Sequence, residues 1–292
     1  MSKALSNYQD GQLVTVDDTA DPAARESLAQ AYAPRLKKWG ISSIAVLISI
    51  VIWYALATFK VNLGIISFVN VPSPVEVAKA LIEFSQLPNA LSHLKSSILR
   101  VLAGFVLAAV TGIVLGLIIG RSKAIASLLM PPLELLRPIP AVSWIPLAIL
   151  MFPSSEISMI FITFLGALFP ILLNTIHGVE AVDPRLIASA RSLGGKRLAI
   201  FTEVVIPSAT PSIITGLAIG MGTCWFCLVT AEMISGQLGI GYFTWESFTL
   251  QNYADIVVGM LLIGILGMLS SAIIRLVGHR LTPWYHTGRK TT

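Results

Sequence analysis

Nineteen consecutive residues, 41–59, carry no charge, close to the ~20 needed to cross the hydrocarbon of a bilayer. Comparable apolar runs recur at residues 99–120, 124–152, 157–176, 208–234 and 255–278. Inside hydrocarbon a backbone N–H or C=O must find its partner within the protein, which leaves helices as the natural solution for runs of this length. Only 12% of the residues are charged, against about 25% in soluble domains. The expectation is an all-α, multi-pass membrane protein of about six transmembrane helices. Its expected division is an N-terminal cytoplasmic tail at 1–40, a membrane domain at 41–280 and a C-terminal cytoplasmic tail at 281–292. Residues 1–34 are polar and lack the charged-then-apolar layout of a signal peptide; a short helix is expected over 23–38.

The basic residues set the orientation. Fourteen of the twenty Lys and Arg fall in the tails, at Arg121 and Lys123, or among Arg185, Arg191, Lys196 and Arg197. The opposite side receives only Lys60, Lys79 and Lys95, and Arg100, Arg137 and Arg275 lie in or near the spans. The side richer in Lys and Arg is cytoplasmic, so both termini are expected inside. The basic pI therefore reflects cytoplasmic loops and gives no reason to expect nucleic acid as a partner.

Residues 183–207, DPRLIASARSLGGKRLAIFTEVVIP, interrupt the apolar runs with a water-facing segment. Asp183 is a cap residue and Pro184 fits a first helical turn, where its missing N–H is no loss. Leu186, Ile187, Ala190 and Leu193 fall on one helical face. Gly194-Gly195 ends that helix, and residues 196–205 predict a second short helix that stops at Pro207. Basic amphipathic loops of this kind also suit anionic lipid headgroups.

This stretch resembles the EAA loop of permease subunits of bacterial ABC importers: Glu-Ala-Ala, three residues, Gly, nine residues, then Ile-x-Leu-Pro. The matching positions are Ala188, Ser189, Ala190, Gly194, Val204, Ile206 and Pro207, with Arg191 inside the pattern. The leading Glu is replaced by Ala188 and its neighbour is Ser189. Three further stretches resemble the nitrate, taurine, aliphatic sulfonate and bicarbonate branch: VPSPVEV at 71–77, LRPIPAVSWIPLAILMF at 136–152 and TAEMISGQLGIGYF at 230–243. The resemblance covers about residues 71–278. It implies a type I ABC importer permease fold, working as a pair of such subunits. Two separate ATPase subunits that bind ATP and Mg would dock on residues 183–207, and an extracytoplasmic solute-binding protein would deliver a small oxyanion. No cofactor, metal site or catalytic residue is expected in this chain, which has no phosphate-cradling Gly-x-x-x-x-Gly-Lys-[Ser/Thr].

Other features bear on the path through the membrane. Gly112, Gly116 and Gly120 repeat at four-residue intervals, as do Gly216 and Gly220, and both patterns permit close helix packing. Five prolines (131, 132, 138, 140 and 146) interrupt the third run. Arg137 there is either an interfacial anchor or a charge facing a wet cavity. Arg137, Trp144 and Glu232 are the candidates for the path or its gate, although Glu232 reads more readily as a carboxylate at the external surface. Cys224 and Cys227 lie in an apolar run and read as packing residues. A stand-alone secondary transporter or channel, or a permease for a thiamine precursor, are the competing readings.

Overall fold

The computed structural model describes residues 41, 43–62, 64, 67–236 and 238–286, together with the backbone of residues 6–9 and 12–15. The chain forms two compact units, Met1–Pro74 and Val75–Thr292.

In the first unit, β1 (Ser6–Gln9) pairs antiparallel with β2 (Gln12–Thr15), Ser6 opposite Thr15. The intervening sequence, Asp-Gly, is the dipeptide that two-residue hairpin turns favour. The helix expected over 23–38 lies outside the described residues. The first apolar run forms α1 (Ser43–Thr58), after which the Trp53 indole N–H donates to the Pro72 carbonyl at 3.0 Å.

The second unit opens with α2 (Pro74–Gln86), which buries Val77, Ala80 and Phe84, while Leu81 stays exposed. Its long helices are α3 (Ala90–Arg121), α6 (Ser155–Glu180), α9 (Ile206–Ser235) and α11 (Tyr253–Leu281), each long and apolar enough to cross a membrane. Between them lie α4 (Lys123–Leu136), a 3-10 turn at Ala141–Trp144, α5 (Ile145–Met151), α7 (Pro184–Ser192), α8 (Arg197–Ile200), α10 (Ile240–Thr249) and α12 (Pro283–His286).

Close backbone approach fixes the centre, with α6 packed between α3 and α9. On α3 the stripe of small residues extends beyond the three expected glycines to Gly104 and Ala108. A Cβ at Gly116 would lie 2.6 Å from the Thr175 Cβ, and one at Gly120 2.8 Å from that of Val179. Lipid tails are as apolar as leucine, so contact of this intimacy, rather than water exclusion, drives helices together in a bilayer. Opposite it, Gly216 faces Asn174 and Gly220 faces Ile171. Cys224 and Cys227 are buried, unpaired thiols in the resulting core.

Two sequence expectations are corrected here. Pro131 and Pro132 do not interrupt the third run, because α4 passes through both. The break falls at residues 137–140, where the chain bends by 81° before continuing as α5. A bilayer helix tolerates proline where neighbours satisfy the freed carbonyls. Nor does Pro207 end a helix. Residues Arg197–Ser235 form one continuous helical rod, and the five residues before α9, Phe201–Val205, widen into a π-helical turn. That wider turn accommodates the proline ring and its missing N–H without breaking the rod.

Candidate functional site

Three places carry chemistry, and α9 touches all of them. The first is the hairpin at its basic end. The Asp183 carboxylate accepts the Arg185 backbone N–H at 2.8 Å, and Pro184 occupies the first turn of α7. The helix closes on a two-glycine motif. The Gly194 N–H donates to the Arg191 carbonyl and the Gly195 N–H to the Ala190 carbonyl, both at 3.0 Å. Gly194 has φ +83°, the left-handed conformation in which a side chain is strained. A Cβ at Gly195 would meet the Ala190 carbonyl at 2.8 Å, so both glycines are required, for different reasons.

The apolar face expected on α7 is divided. Ile187 packs beneath the hairpin against the cluster of Val179, Val182, Val205, Ala209 and Ile213, while Leu186 and Leu193 point outward. Leu193 is 89% exposed and Leu198, on α8, 74%. Ala188, Ser189, Arg191 and Gly194 are also exposed, Ala190, Ile206 and Pro207 half-buried. The hairpin is thus held by a few buried aliphatics and presents leucines and four basic residues outward.

The second place lies at the other end of α9. Glu232 is fully buried, and its carboxylate is completely satisfied. The Ser97 hydroxyl donates to Oε1 at 2.8 Å, Arg100 Nη1 donates to the same oxygen at 2.8 Å, and the Gly241 N–H donates to Oε2 at 2.9 Å. Arg100 extends the cluster: Nη1 also reaches the Leu238 carbonyl, and Nε and Nη2 form a fork on the Glu156 carboxylate. The N–H of Ile240 donates to the Ser97 oxygen at 2.9 Å, and His93 Nδ1 sits against Gly239. Gly239, with φ +152°, lies directly on the Glu232 carboxylate, leaving no room for a side chain. The cluster ties α3, α6 and α9 to the start of α10. Glu232 is therefore not a carboxylate at the external surface, which corrects that reading of it, and it does not line the cavity described next.

His93, Ser97 and Arg100, which sequence reasoning did not connect with Glu232, recur at helical spacing on one face of α3. The apolar run there starts at Leu99, although the helix begins at Ala90. The polar stripe itself was the available signal. Among the described residues no group of three or more His, Cys, Asp or Glu could hold a metal ion.

The third place is a cavity of about 490 Å³ at the break between α4 and the 3-10 turn. It brings together Arg137 and Trp144, two of the three residues expected at the path, with walls from α6 and α9. Arg137 caps the C-terminus of α4 and lines this cavity.

Residues 112–286 match the family described as binding-protein-dependent transport system inner membrane component. The chain belongs to that family. The nitrate import permease protein NrtB of Synechocystis sp. is 31% identical over 268 residues, covering 89% of this chain and 94% of the relative. The taurine transport system permease protein TauC of Escherichia coli is 31% identical over 250 residues, 84% and 89% of the two chains. A crystal structure of an amino acid ABC transporter with histidines superposes with a TM-score of 0.52 at 20% identity, over 72% of this chain and 99% of the other. The fold is that of a type I ABC importer permease, and this family member is a multi-pass membrane protein.

Proposed function

We propose that this permease is the membrane subunit of an ATP-driven importer in a bacterial inner membrane. It would work as a pair of copies, with two ATPase subunits on the cytoplasmic side and a solute-binding protein outside. The cargo would be a small oxyanion: nitrate, taurine or another aliphatic sulfonate, or bicarbonate. ATP and Mg belong to the ATPase subunits, and this chain hydrolyses nothing. Residues 183–207 carry the reading. A rigidly capped hairpin that exposes Leu193 and Leu198 beside basic residues is a docking element for a protein groove, and it is covalently continuous with α9. Movement of the ATPases would therefore act on α9 without a loose joint. The permease would pass between inward- and outward-facing states, each favoured by the partner that binds it better.

The test is ATPase activity of the co-purified complex in lipid nanodiscs, with the binding protein loaded in turn with each anion. Stimulation by a loaded form is expected, and Gly194→Pro should remove it while the complex still assembles, because proline cannot adopt φ +83°. If no ATPase co-purifies and the chain alone moves solute in liposomes, the reading is wrong.

A further inference from the structure

The cavity beside Arg137 lies deep in the membrane domain. Its α9 wall, Thr223 and Phe226, is ~13–18 Å from the Ser235 end at a rise of 1.5 Å per residue. Its α6 wall, Phe161 and Phe169, is ~9–21 Å from the Ser155 end. In a hydrocarbon layer of ~30 Å this is close to the midplane. Arg137 is the one charged residue lining it, and no Asp or Glu does. Among the described residues its guanidinium has no ion-pair partner and the Trp144 indole N–H has no acceptor. Arg137 itself is exposed, and a guanidinium facing hydrocarbon is expensive without water or a counter-charge. The site therefore asks for an anion.

Size and lining narrow the anion further. The volume of about 490 Å³ falls in the range of small-molecule sites, ~300–1,000 Å³. An inorganic oxyanion would fill a small part of it. The rest would hold on the order of a dozen waters at ~30 Å³ each, against aromatic and aliphatic walls that offer them few hydrogen bonds. A zwitterion such as taurine finds no carboxylate for its ammonium group. The Thr223 hydroxyl is already committed, donating to the Gly220 carbonyl at 2.9 Å.

We infer that this cavity is a solute subsite for an organic anion with an apolar body, of the alkyl- or arylsulfonate class. Arg137 and the Trp144 N–H hold the head group, and Phe161, Phe169 and Phe226 enclose the body. The inference rests on the permease reading above and narrows its cargo.

Calorimetric titration of the whole complex, in nanodiscs of zwitterionic lipid only, tests it. The probes are methane-, butane- and hexanesulfonate, nitrate, bicarbonate and hexyltrimethylammonium. Affinity should rise about fourfold for each methylene enclosed, with nitrate, bicarbonate and the cation failing to compete at equal concentration. Arg137→Gln, at an exposed position that leaves packing intact, should weaken hexanesulfonate at least tenfold, with partial recovery in Arg137→Lys. Thr223→Trp, which fills the cavity, should abolish binding. Nitrate binding as tightly as hexanesulfonate, or indifference to Arg137→Gln, would overturn the inference. So would displacement of hexanesulfonate by phosphatidylglycerol added to the nanodisc, which would mark a lipid site. The same preparation reports stimulated ATPase activity, so the two readings fail separately. Stimulation without cavity binding sinks the subsite and spares the permease reading, whereas a complex without any ATPase sinks the permease reading and, with it, the inference.

Discussion

The two ends of α9 handle polar chemistry in opposite ways. At one end Glu232 is sealed from solvent and every lone pair that matters has a donor. At the other, the hairpin leaves Leu193 and Leu198 bare and its basic residues in water. A buried charge tolerates no missing partner, so the first end is rigid and self-contained. Exposed leucines beside a fixed turn leave the second end open, as the proposed docking of an ATPase subunit there requires. One continuous rod joins an anchored end to an open end. A push on the hairpin therefore has a fixed point to work against.

The comparison breaks most severely at Arg100. Arg100→Ala strands the Glu232 carboxylate in a buried site, and removing one member of such a pair costs about 3–5 kcal/mol. The variant should lose most of its thermal stability in nanodiscs, or fail to accumulate in the membrane. Glu232→Gln should be milder, since its amide oxygen still accepts from Ser97 and Gly241. Equal stability of Arg100→Ala and wild type would show that the cluster does not anchor α9.

At the open end, substitutions should spare the fold and strike the assembly. Leu198→Asp and Leu193→Asp alter side chains that touch little of their own chain, so the melting temperature should hold. Affinity for the ATPase should fall about tenfold for each, roughly 1.4 kcal/mol, read by titrating ATPase onto permease nanodiscs. A drop in melting temperature with unchanged affinity would mean that these leucines pack against the body instead. Gly194→Ala sharpens the distinction: nothing lies within 4 Å of the added methyl, yet the left-handed backbone costs it about 1–2 kcal/mol. Coupling should weaken in proportion, with no effect from steric contact.

Legibility in the sequence followed the same divide. The hairpin could be read because its determinants are local: a cap at Asp183, a proline behind it, and glycines at the turn. The membrane class followed from charge-free runs. The Arg100 cluster joins residues 56 to 146 positions apart, and no local pattern announces which carboxylate a helix will receive. The break at residues 137–140 was likewise hidden among five prolines, of which only some end a helix. Proline removes one donor everywhere, but whether the helix survives depends on the neighbours that satisfy the freed carbonyl. The rod through Pro207 misled for the same reason, its π-helical turn being invisible in residue types.

The smallest expected effect tests whether the anchored end is anchored by burial or by charge alone. Arg100 holds two carboxylates, with Glu232 fully buried and the Glu156 side chain 52% exposed. Coulombic attraction at an exposed partner is weak and screened by salt, whereas a buried pair is shielded from the ions that would screen it. Glu156→Gln should therefore cost no more than about 1 kcal/mol, a small drop in melting temperature beside that of Arg100→Ala. Raising salt to ~1 M, where screening acts within ~3 Å, should bring wild type toward the variant and leave the variant almost unchanged. If Glu156→Gln instead destabilises as much as Arg100→Ala, at any salt, the fork on Glu156 is the true anchor. Glu232 would then be a passenger, held in place by Ser97 and the start of α10.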